Sequence, residues 1–322
     1  MGRYIARRLL LFIPVVIGVY MLVFFSVRIV PGDTIDAQIA SNGLNASGQF
    51  DAETLAGLRA EIGLDKPAWA QFFISGGKAL KGDLGNSFEF RSESVVSRIR
   101  NALPVTLELA ILSVSIGVLI ALPFGVLAAV KQDTWIDHGI RLFAISGISV
   151  PEFVLGTILV VMPALWWNWF PYARYTAFFD DPILNLQIMI LPAIALGMRL
   201  SATTMRMVRS SMLEVLRSDY VRTAWAKGLT SRAVLFRHAL KNAMIAPITV
   251  IGTQIGFVIG GTVIIELIFN MPGLGRLTVD AIQKRDYAQI QGNVLFFTMA
   301  IIIINLVIDL SYSYFDPRIR YS

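Results

Sequence analysis

Two ionisable residues lie inside apolar stretches that are long enough to cross a membrane. Glu152 lies about halfway along a run from Leu142 to Leu165, and Arg199 about halfway along a run from Leu186 to Val208. A charge in hydrocarbon is costly, so such residues usually pair with each other or face a water-filled path. We expect Glu152 and Arg199 either to pair or to line a translocation path, where they can bind both charged ends of a zwitterionic solute. The alternative is that Arg199 extends to the interface and Glu152 is protonated.

Residues for covalent, metal or nucleotide chemistry are scarce. The chain has no cysteine, and its histidines are His138 and His238, too few for a histidine metal cage. No phosphate-binding G-x-x-x-x-G-K-[ST] loop occurs, since Gly77-Lys78-Ala79 lacks the spacing and the hydroxyl. We therefore expect no enzyme activity and no bound cofactor or metal. If ATP drives the process, ATP and Mg²⁺ bind to another polypeptide.

The apolar stretches predict an all-α membrane protein with six transmembrane helices. The chain of 322 residues is 55% hydrophobic, with a mean hydropathy of +0.64. Six runs are long enough to span a bilayer. They cover about residues 9–30, 104–130, 142–165, 186–208, 245–269 and 290–314. Pro104 is expected to open the second helix, and Pro151 to kink the third, because each lacks a backbone amide.

The pattern divides the chain into residues 1–30 with the first span, a polar extracytoplasmic segment 31–103, and a five-helix core 104–322. Lys and Arg concentrate at the edges of the spans, eight of them from Arg206 to Lys241. Basic loops remain in the cytoplasm, so both termini are predicted to be cytoplasmic. The net charge of +6 is explained in this way, with a lipid bilayer rather than nucleic acid as the partner.

The fifth predicted span has a glycine at every fourth position. Gly252, Gly256 and Gly260 make one smooth face, which allows another helix backbone to approach closely. Gln254 lies in the same helix, so this helix is also a candidate for lining the path.

A basic segment, residues 218–243, lies within the polar loop 209–244. Its pattern predicts two short helices: Ser218 caps the first, Gly228 closes it in a left-handed conformation, and Thr230 or Ser231 caps the second. Such a unit is a rigid knob on the membrane surface. Spacing alone favours the alternative, an ordinary basic cytoplasmic loop.

The basic segment resembles the EAA loop of ABC-importer permeases, in the variant of the peptide/nickel family. The matching residues are Asp219, Tyr220, Arg222, Thr223, Ala224, Ala226, Lys227, Gly228 and Leu229, then Arg237, His238, Ala239, Leu240, Asn242 and Ala243. Arg222 replaces the glutamate of the general pattern. Shorter motifs also resemble the family, at Val30–Asp33, Leu58–Pro67, Gly82–Gly85 and Pro272–Leu277.

The resemblance implies the type I ABC-importer permease fold in the bacterial inner membrane. The chain would pair with a homologous permease, two cytoplasmic ATPases and an extracytoplasmic solute-binding protein, and carry di- or oligopeptides or a related solute. The residues that would couple it to the ATPase are Asp219, Arg222, Thr223, Ala224, Lys227, Gly228, Leu229 and Arg232. The alternative is a self-contained ion-coupled secondary transporter that uses Glu152, Arg199 and Asp309 as a relay.

Overall fold

Helices make up nearly all of the described chain. The computed structural model describes residues 2–29, 35, 56–57, 59–60, 64–87, 93–169 and 175–315, and only the backbone of 2–9 and 309–315. In chain order the elements are α1 (Gly2–Ile29), α2 (Ala68–Ala79), α3 (Val95–Val130), α4 (Trp135–Ser149), α5 (Glu152–Trp167), α6 (Pro182–Leu216), α7 (Asp219–Ala226), α8 (Ser231–Ala233), the π-helix π1 (Val234–Ala239), α9 (Leu240–Ala243), α10 (Ile245–Ile268), α11 (Leu274–Gln283) and α12 (Tyr287–Phe315).

Five of these helices are long and apolar enough to cross a membrane: α1, α3, α6, α10 and α12. A sixth span results if α4 and α5 count together, although they meet at an angle of 99°. The all-helical fold with up to six spans is as the sequence predicts. The third span is not one kinked helix, because the chain is extended at Val150 and its two halves are separate helices. The pyrrolidine ring of Pro151 disfavours helical backbone at the residue before it, which accounts for the break.

Two helix starts differ from the prediction. Helix α3 begins at Val95 rather than at Pro104, because Ser94 Oγ accepts a hydrogen bond from the amide of Ser97 at 3.2 Å and caps the first turn. Pro104 therefore lies inside the helix. Helix α4 begins at Trp135, so the predicted loop of residues 131–141 is reduced to a short turn.

The chain forms two compact units, and the first comprises Met1–Pro104 with Arg276–Ile302. Within it, α1 and α2 pack through an aromatic cluster in which Phe24 is fully buried against Phe72. Tyr20 and Ser75 share a hydrogen bond of 2.6 Å. A buried carboxylate, Asp286, accepts a hydrogen bond of 2.6 Å from Ser87. These contacts hold the polar segment against the ends of its helices.

The second unit comprises Val105–Gly275 with Ile303–Ser322, and α6 is its central helix. Helices α4, α5 and α10 all pack on α6. Helix α3 also approaches it closely: a Cβ on Gly197 would lie 2.5 Å from the carbonyl oxygen of Ser113. Small residues at such contacts allow backbones to touch, which strengthens helix packing in a membrane.

A buried ion pair joins α4 to α6 in this unit. Arg209 Nε and Nη2 each donate a hydrogen bond of 2.7 Å to the carboxylate of Asp137, which is fully buried. Asp137 Oδ2 also accepts from the amide of Asp133 at 3.1 Å, so the same carboxylate fixes the turn before α4. This two-point pairing gives the two helices a fixed relative position.

A second buried carboxylate closes the loop after α10. Glu266 is fully buried and accepts a hydrogen bond of 2.6 Å from Thr106, whose oxygen accepts from the amide of Leu274 at 2.8 Å. The amide of Met271 donates to the carbonyl oxygen of Glu266 at 2.8 Å. The loop is therefore held to α3 and α10 by hydrogen bonds.

The polar chain before α6 is held by a tyrosine. Tyr175 donates a hydrogen bond of 2.7 Å to Glu108 of α3. Burial raises the pKa of Tyr175, and the hydrogen bond to the Glu108 carboxylate raises this pKa further. The phenol therefore stays protonated at neutral pH and remains a donor.

Candidate functional site

The two predicted membrane charges line one cavity of the second unit. Glu152, Arg199 and Gln254 border a space of about 280 Å³ between α5, α6 and α10, which we call the charged cavity. Its remaining walls are apolar or glycine: Leu196, Leu200, Gly256, Phe257, Val258, Gly260, Gly261 and Ile264. The volume is just below the range for small-molecule pockets, about 300–1,000 Å³. An acid, a cation and an amide thus border one mostly apolar space.

Glu152 is at this position because α5 begins there. The break at Pro151 makes Glu152 the first residue of α5, where the helix dipole stabilises a negative charge. A Cβ on Gly261 would lie 2.9 Å from Glu152 Oε1, so α10 passes close to this carboxylate at a glycine. Among the described residues, no ion pair joins Glu152 to Arg199. The structure therefore has both charges on the cavity wall, unpaired with each other.

The three glycines of α10 have different surroundings. A Cβ on Gly252 would lie 3.0 Å from Ile308, so this glycine permits close packing of α10 against α12. At Gly256 and Gly260 no heavy atom of the described residues would lie within 4 Å of an added Cβ, and both residues line the charged cavity. Within this chain the predicted packing role is therefore limited to Gly252.

The basic segment folds as a compact unit at the end of α6. Val221, Ala224 and Val234 are buried and pack against Val215 and Leu216. In the turn after α7, Gly228 has the left-handed conformation that its position predicted, with φ of +75°. Thr230, one of the two predicted caps, accepts a hydrogen bond of 3.4 Å from the amide of Ala233.

One detail of the basic segment differs from expectation. Ser218 occupies the cap position of α7, yet its hydroxyl donates 2.6 Å to the carbonyl oxygen of Val215, at the end of α6. Ala224, one of the predicted coupling residues, is 5% exposed and packs against the end of α6. Its part in coupling stays a prediction.

The outward face of the basic segment carries the other predicted residues. Asp219, Arg222, Thr223, Lys227, Gly228, Leu229 and Arg232 are all exposed. Arg222 and Asp219 approach to 3.7 Å, with side chains 75% and 97% exposed, so this pair contributes little stability and is open to a partner. Trp225 is exposed on the same short helix and was not among the predicted coupling residues. Arginine beside an aromatic residue is typical of protein interfaces.

One helix connects the two sites. Arg199 and Leu216 both belong to α6, and 17 residues of helix correspond to about 26 Å at about 1.5 Å per residue. Leu216 contacts the buried face of the basic segment, and Arg199 lines the charged cavity. A displacement of the basic segment can therefore reach the cavity through a single helix. The side chain of Asp309, the third member of the alternative relay, lies outside the described side chains.

The chain matches a family model over residues 121–321, described as "Binding-protein-dependent transport system inner membrane component". It is 40% identical over 347 residues to the dipeptide transport system permease protein DppB of Escherichia coli (strain K12), covering 100% of this chain and 99% of that protein. A putative peptide transport system permease protein of Brucella abortus (strain 2308) is 39% identical over 321 residues, covering 100% of each.

A solved structure supports the fold. The crystal structure of an amino acid ABC transporter with histidines superposes with a TM-score of 0.54 at 15% sequence identity, covering 68% of this chain and 94% of that chain. This fold, the full-length relatives and the helices described above together identify the family of the chain. The chain belongs to the family of inner membrane components of binding-protein-dependent transport systems, the permeases of ABC transporters.

Proposed function

We propose that this chain forms, with a second homologous permease, the translocation path for di- or oligopeptides. Two relatives of full length carry peptide or dipeptide transport in their names. A peptide in solution is zwitterionic, and the charged cavity offers one carboxylate and one guanidinium. Glu152 would attract the ammonium end and Arg199 the carboxylate end. A solute-binding protein would deliver the peptide on the extracytoplasmic side.

The exposed face of α7 supports a second part of the proposal, that this chain is coupled to an ATPase. Its buried residues fix it to the end of α6, and its charged and aromatic residues point outward. In the proposed orientation both termini and the basic segment are cytoplasmic, so this face docks on one of two ATPase subunits. These subunits, not this chain, would bind ATP and Mg²⁺. ATP-driven closure would push α7, and α6 would pass the movement to the charged cavity.

Co-purification from native membranes tests the docking. The full chain, carrying an affinity tag, is isolated in a gentle detergent, and ATP hydrolysis by the eluate reports the attached ATPase. We expect Arg222→Glu to lower the recovered ATPase about tenfold, since about 1.4 kcal/mol of lost contact has this effect. Gly228→Pro should abolish recovery, because proline cannot adopt the φ of +75° that ends α7.

Lys131→Glu is the matched control, because it reverses an exposed cation in the turn between α3 and α4 without altering the basic segment. It should recover as much ATPase as the wild type. Equal recovery from all three variants would contradict docking through α7.

A further inference from the structure

A second cavity, in the first unit, has no role in the mechanism above. It measures about 580 Å³ and lies between α1, α2 and the beginning of α12. We call it the α1–α2 cavity. Arg28, Lys66 and Lys78 contribute cations to its wall, and Asp83 is the carboxylate among the described lining residues. The balance of charge favours an anion.

The cations of this cavity form no ion pair with the described part of the protein. Arg28 donates to Gln71 Oε1 through Nε at 3.2 Å and Nη2 at 2.8 Å, and lies 3.5 Å above the centre of the Phe24 ring, all neutral partners. Lys66 and Lys78 are exposed, and no ion pair engages either of them among the described residues. Asp83 accepts a hydrogen bond from the amide of Gly85 at 2.9 Å. The three cations therefore lack a carboxylate partner within the described chain.

Gln291 adds an uncharged hydrogen-bonding group to the wall. The residue is 8% exposed and lines the α1–α2 cavity. Within the described residues its amide has no hydrogen-bond partner, and its oxygen and nitrogen are not among the fully buried unsatisfied atoms. The amide is therefore available to a ligand oxygen in the cavity.

The position of the cavity indicates which kind of molecule would carry the anionic group. Arg28 lies in the last turn of α1, at the outer end of an apolar span, where lipid headgroups are found. The two helices that border the cavity also expose apolar side chains: Leu22 on α1 is 66% exposed, and Trp69 and Phe73 on α2 are 66% and 70% exposed. A ligand that combines an anionic head with acyl chains fits both features. Cations at the end of an apolar span attract an anionic headgroup through their charge.

We propose that the α1–α2 cavity binds the phosphate headgroup of an anionic phospholipid. Lys66, Lys78 and Arg28 neutralise the phosphate, and Gln291 donates its amide hydrogen atoms to a headgroup oxygen. The acyl chains lie along the exposed apolar faces of α1 and α2. A bound lipid of this kind would fasten α2 to α1.

Native mass spectrometry of the full chain, with whichever subunits co-purify, measures this binding. Dioleoyl phosphatidylglycerol and dioleoyl phosphatidylcholine are titrated into the detergent solution. We expect selective retention of phosphatidylglycerol. The double variant Lys66→Gln with Lys78→Gln should weaken it about 25-fold, since each basic residue near an anionic lipid contributes about fivefold in affinity. Gln291→Leu should weaken it independently of charge.

Lys81→Gln is the matched control, since Lys81 is exposed close to Lys78 but does not line the cavity. An unchanged affinity in the double variant, or an equal loss in Lys81→Gln, would overturn the site. Displacement of the lipid by millimolar inorganic phosphate would show that the cavity takes free phosphate and overturn the lipid assignment. If the double variant instead loses a co-purifying acidic protein while lipid binding is unaffected, the cavity is a protein contact and the lipid assignment is also overturned.

Discussion

Replacing Asp137 with asparagine is expected to leave little folded chain in the membrane. Asparagine keeps the shape of the side chain and can still accept a hydrogen bond from the amide of Asp133. It removes the negative charge to which Arg209 Nε and Nη2 each donate at 2.7 Å. The carboxylate is fully buried, and the Arg209 side chain is only 19% exposed. Breaking a buried ion pair from one side costs about 3–5 kcal/mol. Folding stability, read as the temperature at which the detergent-solubilised chain aggregates, should fall sharply.

Two companion variants separate the lost ion pair from general damage. Asp133→Asn removes a neighbouring exposed carboxylate at a left-handed position that asparagine tolerates, so it should aggregate at the wild-type temperature. Asp137→Asn combined with Arg209→Gln should be more stable than Asp137→Asn alone, because no unpaired charge remains buried. An aggregation temperature that Asp137→Asn leaves unchanged would refute the importance of this pair.

Glu152→Gln and Arg199→Gln are each expected to reduce peptide uptake by about tenfold to a hundredfold. A hydrogen bond to a charged group contributes about 1.5–3 kcal/mol, and each substitution removes one such partner of the zwitterion. Because the two side chains line the charged cavity without forming an ion pair, their losses should multiply in the double variant. Uptake of a labelled dipeptide in cells measures this, with ATPase co-purification showing that the complex still assembles.

Glu214→Gln provides the control, since this exposed glutamate lies on α6 outside the charged cavity. Its uptake should equal that of the wild type. A double variant that transports better than either single variant would mean that the two charges pair with each other and would contradict their exposure to the path.

Local signals in the sequence predicted the local structure well. Gly228 and Thr230 act within a few residues of themselves, so their positions sufficed to place the turn between α7 and α8. The hydroxyl of Ser218 behaved differently because a carbonyl at the end of α6 competes for it. Helix α3 begins before Pro104 because Ser94 caps its first turn, and a proline that is compatible with a helix start does not by itself mark one.

Contacts between distant residues could not be predicted. Asp137 and Arg209 are 72 positions apart, and nothing in either neighbourhood indicates the other. Glu152 and Arg199 were expected either to pair or to line a path, and only the packing of α5, α6 and α10 around the charged cavity distinguishes the two. The regular spacing of Gly252, Gly256 and Gly260 likewise does not reveal that only the first faces a helix of the same chain.

ATP hydrolysis on partner subunits is proposed to drive peptide through this chain, and uptake by proteoliposomes tests this proposal. The chain is reconstituted alone and as the complex isolated from native membranes, and labelled dipeptide uptake is measured with ATP or with an imposed proton or sodium gradient, in the presence of the solute-binding protein. We expect uptake by the complex with ATP, and none by the chain alone under any gradient. Gradient-driven uptake by the isolated chain would contradict it and establish a self-contained secondary transporter.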